Sequence, residues 1–160
     1  MSEFATHYFL NEDGDGKPWN TNGVVIPREG APEAPVIRNW SSGMQYKSGT
    51  RHAAKAEIDF ETATGEQWQF ELTPRWHFYM RGVGYTHPHW KHGSYHGELE
   101  TGYDEFPVDD VDPSDIHIQA MCDVRLTTPA GTQQGQGVLE QLIIGPHAPS
   151  GFTDLLDLAP

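Results

Sequence analysis

Apolar and polar side chains alternate strictly in two neighbouring stretches of the chain. In residues 54–61 alanine, isoleucine and phenylalanine alternate with lysine, glutamate and aspartate, and in residues 67–72 tryptophan, phenylalanine and leucine alternate with glutamine and glutamate. A period of two places each set on one face of an extended strand. Because the turn sequence at residues 62–66 joins the two stretches, the pattern predicts an antiparallel hairpin that ends at Pro74.

Weaker alternation predicts further strands. Residues 128–132 predict a turn, residues 106–114 a connection rich in proline and aspartate, and residues 152–158 the one short helix. The remaining strands are predicted at residues 4–10, 24–26, 75–80, 95–103, 115–127 and 137–144. About eight or nine strands separated by turn sequences predict an all-β domain, an antiparallel barrel or sandwich.

Composition and charge narrow the class of protein. The 160 residues fit one domain, and the net charge of −13 argues against nucleic-acid partners. No stretch approaches the ~20 apolar residues that cross a bilayer, and residues 1–4 do not resemble a signal peptide. The single cysteine, Cys122, alternates with apolar neighbours and predicts a buried, unreactive thiol. We therefore expect a cytoplasmic protein without a membrane span.

Histidines are concentrated in the central segment at residues 82–98. His87 and His89 would project to the same side of an extended chain, which is a spacing typical of metal ligands. Histidines that line a pocket or make structural hydrogen bonds give the same pattern without a metal. We expect neither metal nor cofactor, with a metal held by His87 and His89 as the alternative. The further ligands in that alternative would come from His92, His96 or Glu98.

Glu140 interrupts the most apolar predicted strand of the chain. It shares a face with Val138, Leu142 and Ile144. A carboxylate among aliphatic side chains loses hydration, which raises its pKa and suits it to act as a general acid at neutral pH. The alternative is a structural glutamate at a barrel rim, or one that pairs with an arginine. The candidate arginines are Arg75, Arg81 and Arg125.

Two signatures carry a resemblance to a known family. Residues 82–93 read G-x-G-Y-x-H-P-x-W-x-H-G, and residues 137–152 read GVLEQLIIGPHAPSGF. Both are similar to the C-terminal half of uncharacterised bacterial two-domain proteins that are distantly similar to carotenoid 1,2-hydratase and kievitone hydratase. The resemblance covers about residues 35–160 and implies a calycin-like (lipocalin-like) β-barrel. Relatives with known chemistry add water to an alkene or shape a polyene for cyclisation.

The resemblance also bears on assembly. We interpret residues 1–160 as a single lipocalin-like domain, with N-terminal strands and a loop in residues 1–34 before the family-like region at residues 35–160. The similar proteins have two barrels, and this chain matches only the second. Met1 and the matching C-terminus favour a stand-alone form, with an excised or split protein as the alternative. Because large bare apolar faces are rarely tolerated, we expect a homodimer or a partner chain that supplies the other barrel half.

The expected function is that of a hydratase-like lyase or isomerase acting on a hydrophobic small molecule such as a terpenoid or polyene. In this scheme Glu140 or His87 protonates the alkene, and the other residue orients or deprotonates water. His92 and Tyr85 position the pair, and His87 or His92 reaches Glu140. Such acid–base chemistry requires no cofactor. The expected substrate-binding residues are Trp76, Phe78, Trp90, His89 and Gln141.

Two other classes of function stay open. The first is a non-catalytic module for apolar ligands, or an accessory subunit that completes another chain's barrel. The second is an enzyme whose metal is held by His87 and His89. Pairing of Glu140 with an arginine would favour the binding module, whereas a histidine beside Glu140 in an open cavity would favour the enzyme.

Overall fold

The computed structural model describes residues 4–30, 34–79, 89, 94–112 and 117–160. Within these ranges the chain forms strands and two single-turn 3₁₀ segments, Val108–Asp110 and Ala148–Ser150, but no α-helix. None of the described segments is therefore a helix that could cross a membrane. The protein is all-β, as the alternation predicts. The strands in these ranges are β1 Phe4–Glu12, β2 Pro18–Pro27, β3 Ile37–Tyr46, β4 Ala53–Thr62, β5 Gln67–Tyr79, β6 His117–Thr128 and β7 Gly131–Leu142.

The strands form two antiparallel sheets. β1 and β2 make a separate hairpin, and the other five make one sheet in the order β3-β4-β5-β6-β7. The hairpin predicted from the strictest alternation is confirmed as β4 and β5, with Phe60 opposite Trp68. The turn predicted at residues 128–132 is confirmed between β6 and β7. Each strand of the larger sheet thus pairs with its neighbour in sequence.

Two predicted elements are not formed. Residues 95–103 are not a strand, and their two tyrosines and one leucine are 83–92% exposed, so their apolar spacing does not reflect packing against a sheet. Residues 152–158 are not a helix. The backbone carbonyl of Asp154, which a helix over these residues would pair with the N–H of residue 158, instead accepts a hydrogen bond from the guanidinium of Arg51.

Strand β5 does not end at Pro74 as predicted but continues to Tyr79 through a β-bulge. The pairing with β6 shifts by one residue between Pro74 and Trp76. Proline has no backbone N–H to donate, and a bulge is one of the few places where a paired strand accommodates it. A one-residue shift exchanges the two faces of a strand. Beyond Arg75, β5 therefore turns inward the side chains that simple alternation would turn outward.

One face of the five-stranded sheet, which we call the inner face, packs against the β1–β2 hairpin. The Tyr8 ring of β1 meets those of Trp40 and Phe60 at centroid distances of 5.5 and 5.7 Å. Cys122 is 2% exposed on this face, so the predicted buried thiol is confirmed, and burial raises its pKa. The buried core residues are Ala56, Phe60, Phe70, Leu72, Ala120, Cys122 and Leu126.

Side-chain hydrogen bonds between distant segments close one end of the inner face. Gln141 of β7 accepts a hydrogen bond from the N–H of Ala53 at 2.7 Å and donates one to the carbonyl of Arg51. Arg51 in turn donates to the carbonyls of Asp154 and Asp157, each at 2.6 Å. Gln141 and Arg51 are buried, at 5% and 1% exposure. The sheet is therefore curled enough for β7 to meet the start of β4, although β5 and β6 lie between them.

Candidate functional site

Two histidines and a tyrosine lie together at the closed end of the inner face, and we call them the inner cluster. His52 directly precedes β4, and His77 and Tyr79 are the last inward residues of β5. The ring of His52 lies 6.1 Å from that of His77 and 5.1 Å from that of Tyr79, centroid to centroid. The β-bulge is what turns His77 and Tyr79 toward His52.

The hydrogen bonds of His77 define its tautomer. Its Nε2 lies 3.3 Å from the carbonyl oxygen of Ala53, and its Nδ1 lies 3.4 Å from the Nζ of Lys47. A carbonyl can only accept and an ammonium group can only donate, so Nε2 carries the proton and Nδ1 accepts. Burial, and next the charge of Lys47, lower the pKa of His77. His77 is thus a neutral imidazole that holds a lysine beside His52.

His52 is the more unusual member of the inner cluster. It is 6% exposed, and its Nε2 is buried without a hydrogen-bond partner among the described residues. Burial, followed by electrostatic interactions with His77 and Lys47, lowers the pKa of His52 to about 4. The ring is therefore neutral at pH 7. Leaving a buried polar atom unpaired costs about 1–3 kcal/mol, so such an atom is a strong candidate for contact with a bound molecule.

A second polar chain links the C-terminal segment to two hairpins, and we call it the C-terminal latch. The Nε2 of His147 lies 2.8 Å from Oε1 of Glu12, and its Nδ1 lies 2.7 Å from the Oγ of Ser150. The hydroxyl of Ser150 lies 2.8 Å from that of Tyr46. Burial is the largest cause of the raised pKa of Tyr46. Carboxylate, imidazole and serine hydroxyl therefore stand in the order found in serine nucleophile sites.

The surroundings of Ser150 do not suit nucleophilic catalysis. The backbone N–H groups of Ser150, Gly151 and Phe152 all donate to carbonyls of residues 147 and 148, so they are not available to hold an oxyanion. An open groove of about 580 Å³ lies nearby, but its walls do not include the four latch residues. The latch is therefore a structural connection. The groove is lined by Asp13, Gly14, Asp15, Pro146, Ala148, Gly151, Phe152 and Thr153.

Glu140 does not lie in the dry environment that its neighbours in sequence predict. Its side chain is 57% exposed on the outer face of the sheet, where Val138 is 58% exposed. The reason is the register of β7, which turns Leu139 and Gln141 inward. The carboxylate Oε1 lies 3.1 Å from the Nε2 of His117. Among the described residues its partner is therefore a histidine, His117, whereas the proposed partners His87 and His92 lie outside those residues.

Three residues predicted to bind substrate have other surroundings. Trp76 and Phe78 follow the β-bulge and are 70% and 54% exposed on the outer face, so they do not line the inner face as expected. The amide of Gln141 is engaged with the backbone of Ala53 and Arg51, which makes its contacts structural.

The histidine-rich segment is described in part. His89 lies with its Nε2 3.2 Å from Oε1 of Glu100, and its ring stacks on that of His96 at 4.2 Å. The glutamate beside His89 is thus Glu100, where the sequence suggested Glu98. The predicted roles of four residues fall outside the described residues and stay predictions. These residues are Tyr85, His87, Trp90 and His92.

Sequence reasoning missed the C-terminal latch and His52 for different reasons. His147 and Ser150 stand in the second signature, which was a usable signal, but apolar alternation in that signature singles out only Glu140. No comparable signal marks His52, because it lies in a short connection before β4 and its neighbour His77 comes from β5.

Comparisons with known proteins identify a family but no activity. Residues 1–153 match the family of unknown function DUF8625, a match that includes both the β1–β2 hairpin and the five-stranded sheet. No curated protein matches the chain, and no solved structure does. Because the match covers nearly all of the sequence, the chain belongs to the DUF8625 family of proteins of unknown function.

Proposed function

We propose that this protein is a cofactor-independent lyase or isomerase that acts on a hydrophobic small molecule, such as a terpenoid or polyene, at the inner cluster. The observation that carries the proposal is the buried Nε2 of His52, which has no hydrogen-bond partner among the described residues. Small-molecule sites are mostly apolar surfaces with a few converging polar groups. The closed end of the inner face has this character, with Ile118 and Ala53 fully buried near the cluster.

The chemistry follows from the protonation state of the cluster. A neutral imidazole can hydrogen-bond to a water molecule or to a substrate hydroxyl without charging the apolar surface around it. In hydration of an alkene, one carbon gains a proton, the water oxygen bonds to the other carbon, and that oxygen then loses a proton. The neutral ring of His52 takes the proton that the water oxygen loses, and the phenol of Tyr79, whose ring centroid lies 5.1 Å from that of His52, is the candidate donor of the proton to carbon. In isomerisation the proton leaves a carbon of the same intermediate instead.

The resemblance to uncharacterised proteins that are distantly similar to hydratases supports this assignment. The first signature begins at residue 82, shortly after His77 and Tyr79 end the inward row of β5. His87, His92 and Tyr85, which stand in this signature, keep their proposed part in proton transfer and positioning.

A calycin-like barrel belongs to the same proposal. The five-stranded sheet is antiparallel with neighbours in chain order, which is the connectivity of an up-and-down barrel. The bonds from Gln141 of β7 to Arg51 and Ala53 bring opposite parts of this sheet together. We propose that the β1–β2 hairpin completes the wall, since Tyr8 already packs across the inner face.

The test uses a panel of terpenoid alkenes and the corresponding alcohols, incubated with the full-length chain. Heavy-oxygen water reports hydration, and deuterium oxide reports proton exchange at carbon. We expect one of the two labels to enter at least one panel member. His52→Phe should lower the rate roughly 10²-fold or more, and His7→Phe, a matched change at an exposed histidine of β1, should not.

The outcomes separate the candidate classes. Binding of panel members without incorporation of either label would favour the non-catalytic module and contradict an enzyme. Turnover that is unchanged in folded His52→Phe would remove the inner cluster from the reaction. Far-ultraviolet circular dichroism of each variant establishes that the comparison is made between folded chains.

A further inference from the structure

Three side chains with metal-binding atoms converge outside the inner cluster. His89, His96 and Glu100 each offer one ligand atom, and the three atoms all lie within 4.8 Å of one another. The Nε2 of His89 is 3.2 Å from Oε1 of Glu100, and the two imidazole rings stack at 4.2 Å. Two histidines with one carboxylate are a ligand set that proteins use for zinc and for non-haem iron.

A hydrogen bond defines which nitrogen of His96 would act as the ligand. The Nε2 of His96 lies 2.6 Å from the backbone carbonyl oxygen of His89. Because a carbonyl only accepts, Nε2 carries the proton, and the lone pair of the neutral ring is on Nδ1. Metal-binding histidines commonly donate their other ring N–H to a carbonyl or carboxylate, which orients the ring toward the ion. His96 thus has this supporting hydrogen bond already.

The spacing requires only a small adjustment. Ligand atoms around one ion with bonds of ~2.1 Å lie about 3–3.5 Å apart. The contact between His89 and Glu100 already falls in this range. All three residues are exposed, so rotation of a side chain can bring the third atom in without disturbing a packed core. The net charge of −13 also raises the local concentration of cations.

We propose that His89, His96 and Glu100 bind a divalent first-row transition-metal ion such as zinc. Three protein ligands leave at least one coordination position for water or a small ligand. Imidazole nitrogens favour a transition metal over calcium or magnesium, which prefer oxygen ligands. This ligand set differs from the pair His87 and His89 considered from the sequence.

The test is a titration of the metal-free, untagged full-length chain with cobalt(II), whose visible absorption reports ligand number and geometry. We expect one cobalt ion per chain, displaced by zinc and not by magnesium or calcium. Removal of a supporting outer contact typically costs 10–100-fold in metal affinity, so loss of a ligand in His96→Ala should cost at least about 100-fold. Glu100→Gln should weaken binding similarly, and His7→Ala should leave it unchanged.

Two results would overturn the proposal. Wild-type affinity in both His96→Ala and Glu100→Gln would mean that the ion binds elsewhere. An equal loss in His7→Ala would mean that cobalt binds unspecifically to exposed histidines. Glu100→Gln keeps the shape of the side chain and changes one ligand group, so it decides the question even if His96→Ala disturbs the local fold.

Discussion

The Nε2 of His147 lies 2.8 Å from Oε1 of Glu12, a contact between residues 135 positions apart. It ties the C-terminal segment to the end of β1, and the other nitrogen of the same ring continues to Ser150. The side chains of His147 and Glu12 are 13% and 27% exposed, so water screens the pair less than an ion pair on the surface. The end of the chain therefore stabilises the first hairpin.

Substitution in this pair should lower stability in a coupled way. We expect His147→Ala and Glu12→Ala each to lower the free energy of unfolding by about 1–3 kcal/mol, because each leaves a partly buried partner unpaired. In urea unfolding, the double variant should lose less than the sum of the two, with a coupling of at least about 0.5 kcal/mol. His7→Ala serves as the control for loss of an exposed histidine. Strictly additive losses would show that the contact contributes nothing.

Substitution of Gln141 should show whether this residue has a structural role or binds substrate. Gln141→Ala leaves the N–H of Ala53 and the carbonyl of Arg51 without their present partner in a buried place. We expect a loss of about 2 kcal/mol or more in the free energy of unfolding. Gln134→Ala, at an exposed position of the same strand, should change it by less than about 0.5 kcal/mol. Equal stability of the two variants would contradict a structural role and leave substrate binding as the role predicted for Gln141.

The fold could be predicted where the pattern is local, as in the hairpin of β4 and β5. The β-bulge after Pro74 could not, because one extra residue leaves the composition of the strand unchanged while it exchanges the two faces. The sequence therefore shows which residues alternate. Alternation alone wrongly predicted that Trp76 lines the pocket, and it gave no role to His77.

The candidate site depends even more on contacts between distant residues. The alternation around Glu140 correctly predicts that Glu140 and Val138 share a face of β7, yet it does not reveal that this face is exposed to solvent. Which face is covered depends on the β1–β2 hairpin, far away in sequence. The same holds for His52, whose lowered pKa comes from burial and from charges on other segments.

His52 makes stability depend on pH in a definite direction. Its pKa is lowered from 6.5 to about 4 in the folded chain. Between these values the unfolded chain binds a proton that the folded chain does not, so the free energy of unfolding falls as the pH drops from 6.5 to 4. At about 1.4 kcal/mol per pH unit, the loss attributable to His52 approaches 3 kcal/mol.

Urea unfolding of the wild-type chain and of His52→Phe at several pH values measures this contribution. His77 adds a loss of the same sign, since its pKa is also lowered, and it remains in the variant. The difference between the two chains therefore isolates His52. We expect the free energy of unfolding of the wild-type chain to fall by nearly 3 kcal/mol relative to that of His52→Phe as the pH drops from 6.5 to 4. Parallel curves over this range would mean that His52 titrates alike in the folded and unfolded chains.

The outer face gives the last expectation, which concerns the homodimer, one of the two forms of assembly expected from the sequence. Trp76, Met121 and Val138 lie opposite one another on β5, β6 and β7, and Trp76 is 70% exposed. An exposed apolar row of this kind is typical of a surface that another chain covers. We expect the wild-type chain to be dimeric by light scattering at tens of micromolar, and Trp76→Glu to be monomeric because burial of a carboxylate opposes association.

Trp19→Glu, at a similarly exposed tryptophan of β2, is the matched control and should stay dimeric. A dimer that survives Trp76→Glu would place the interface elsewhere, and a monomeric wild-type chain would contradict self-association and favour a separate partner chain.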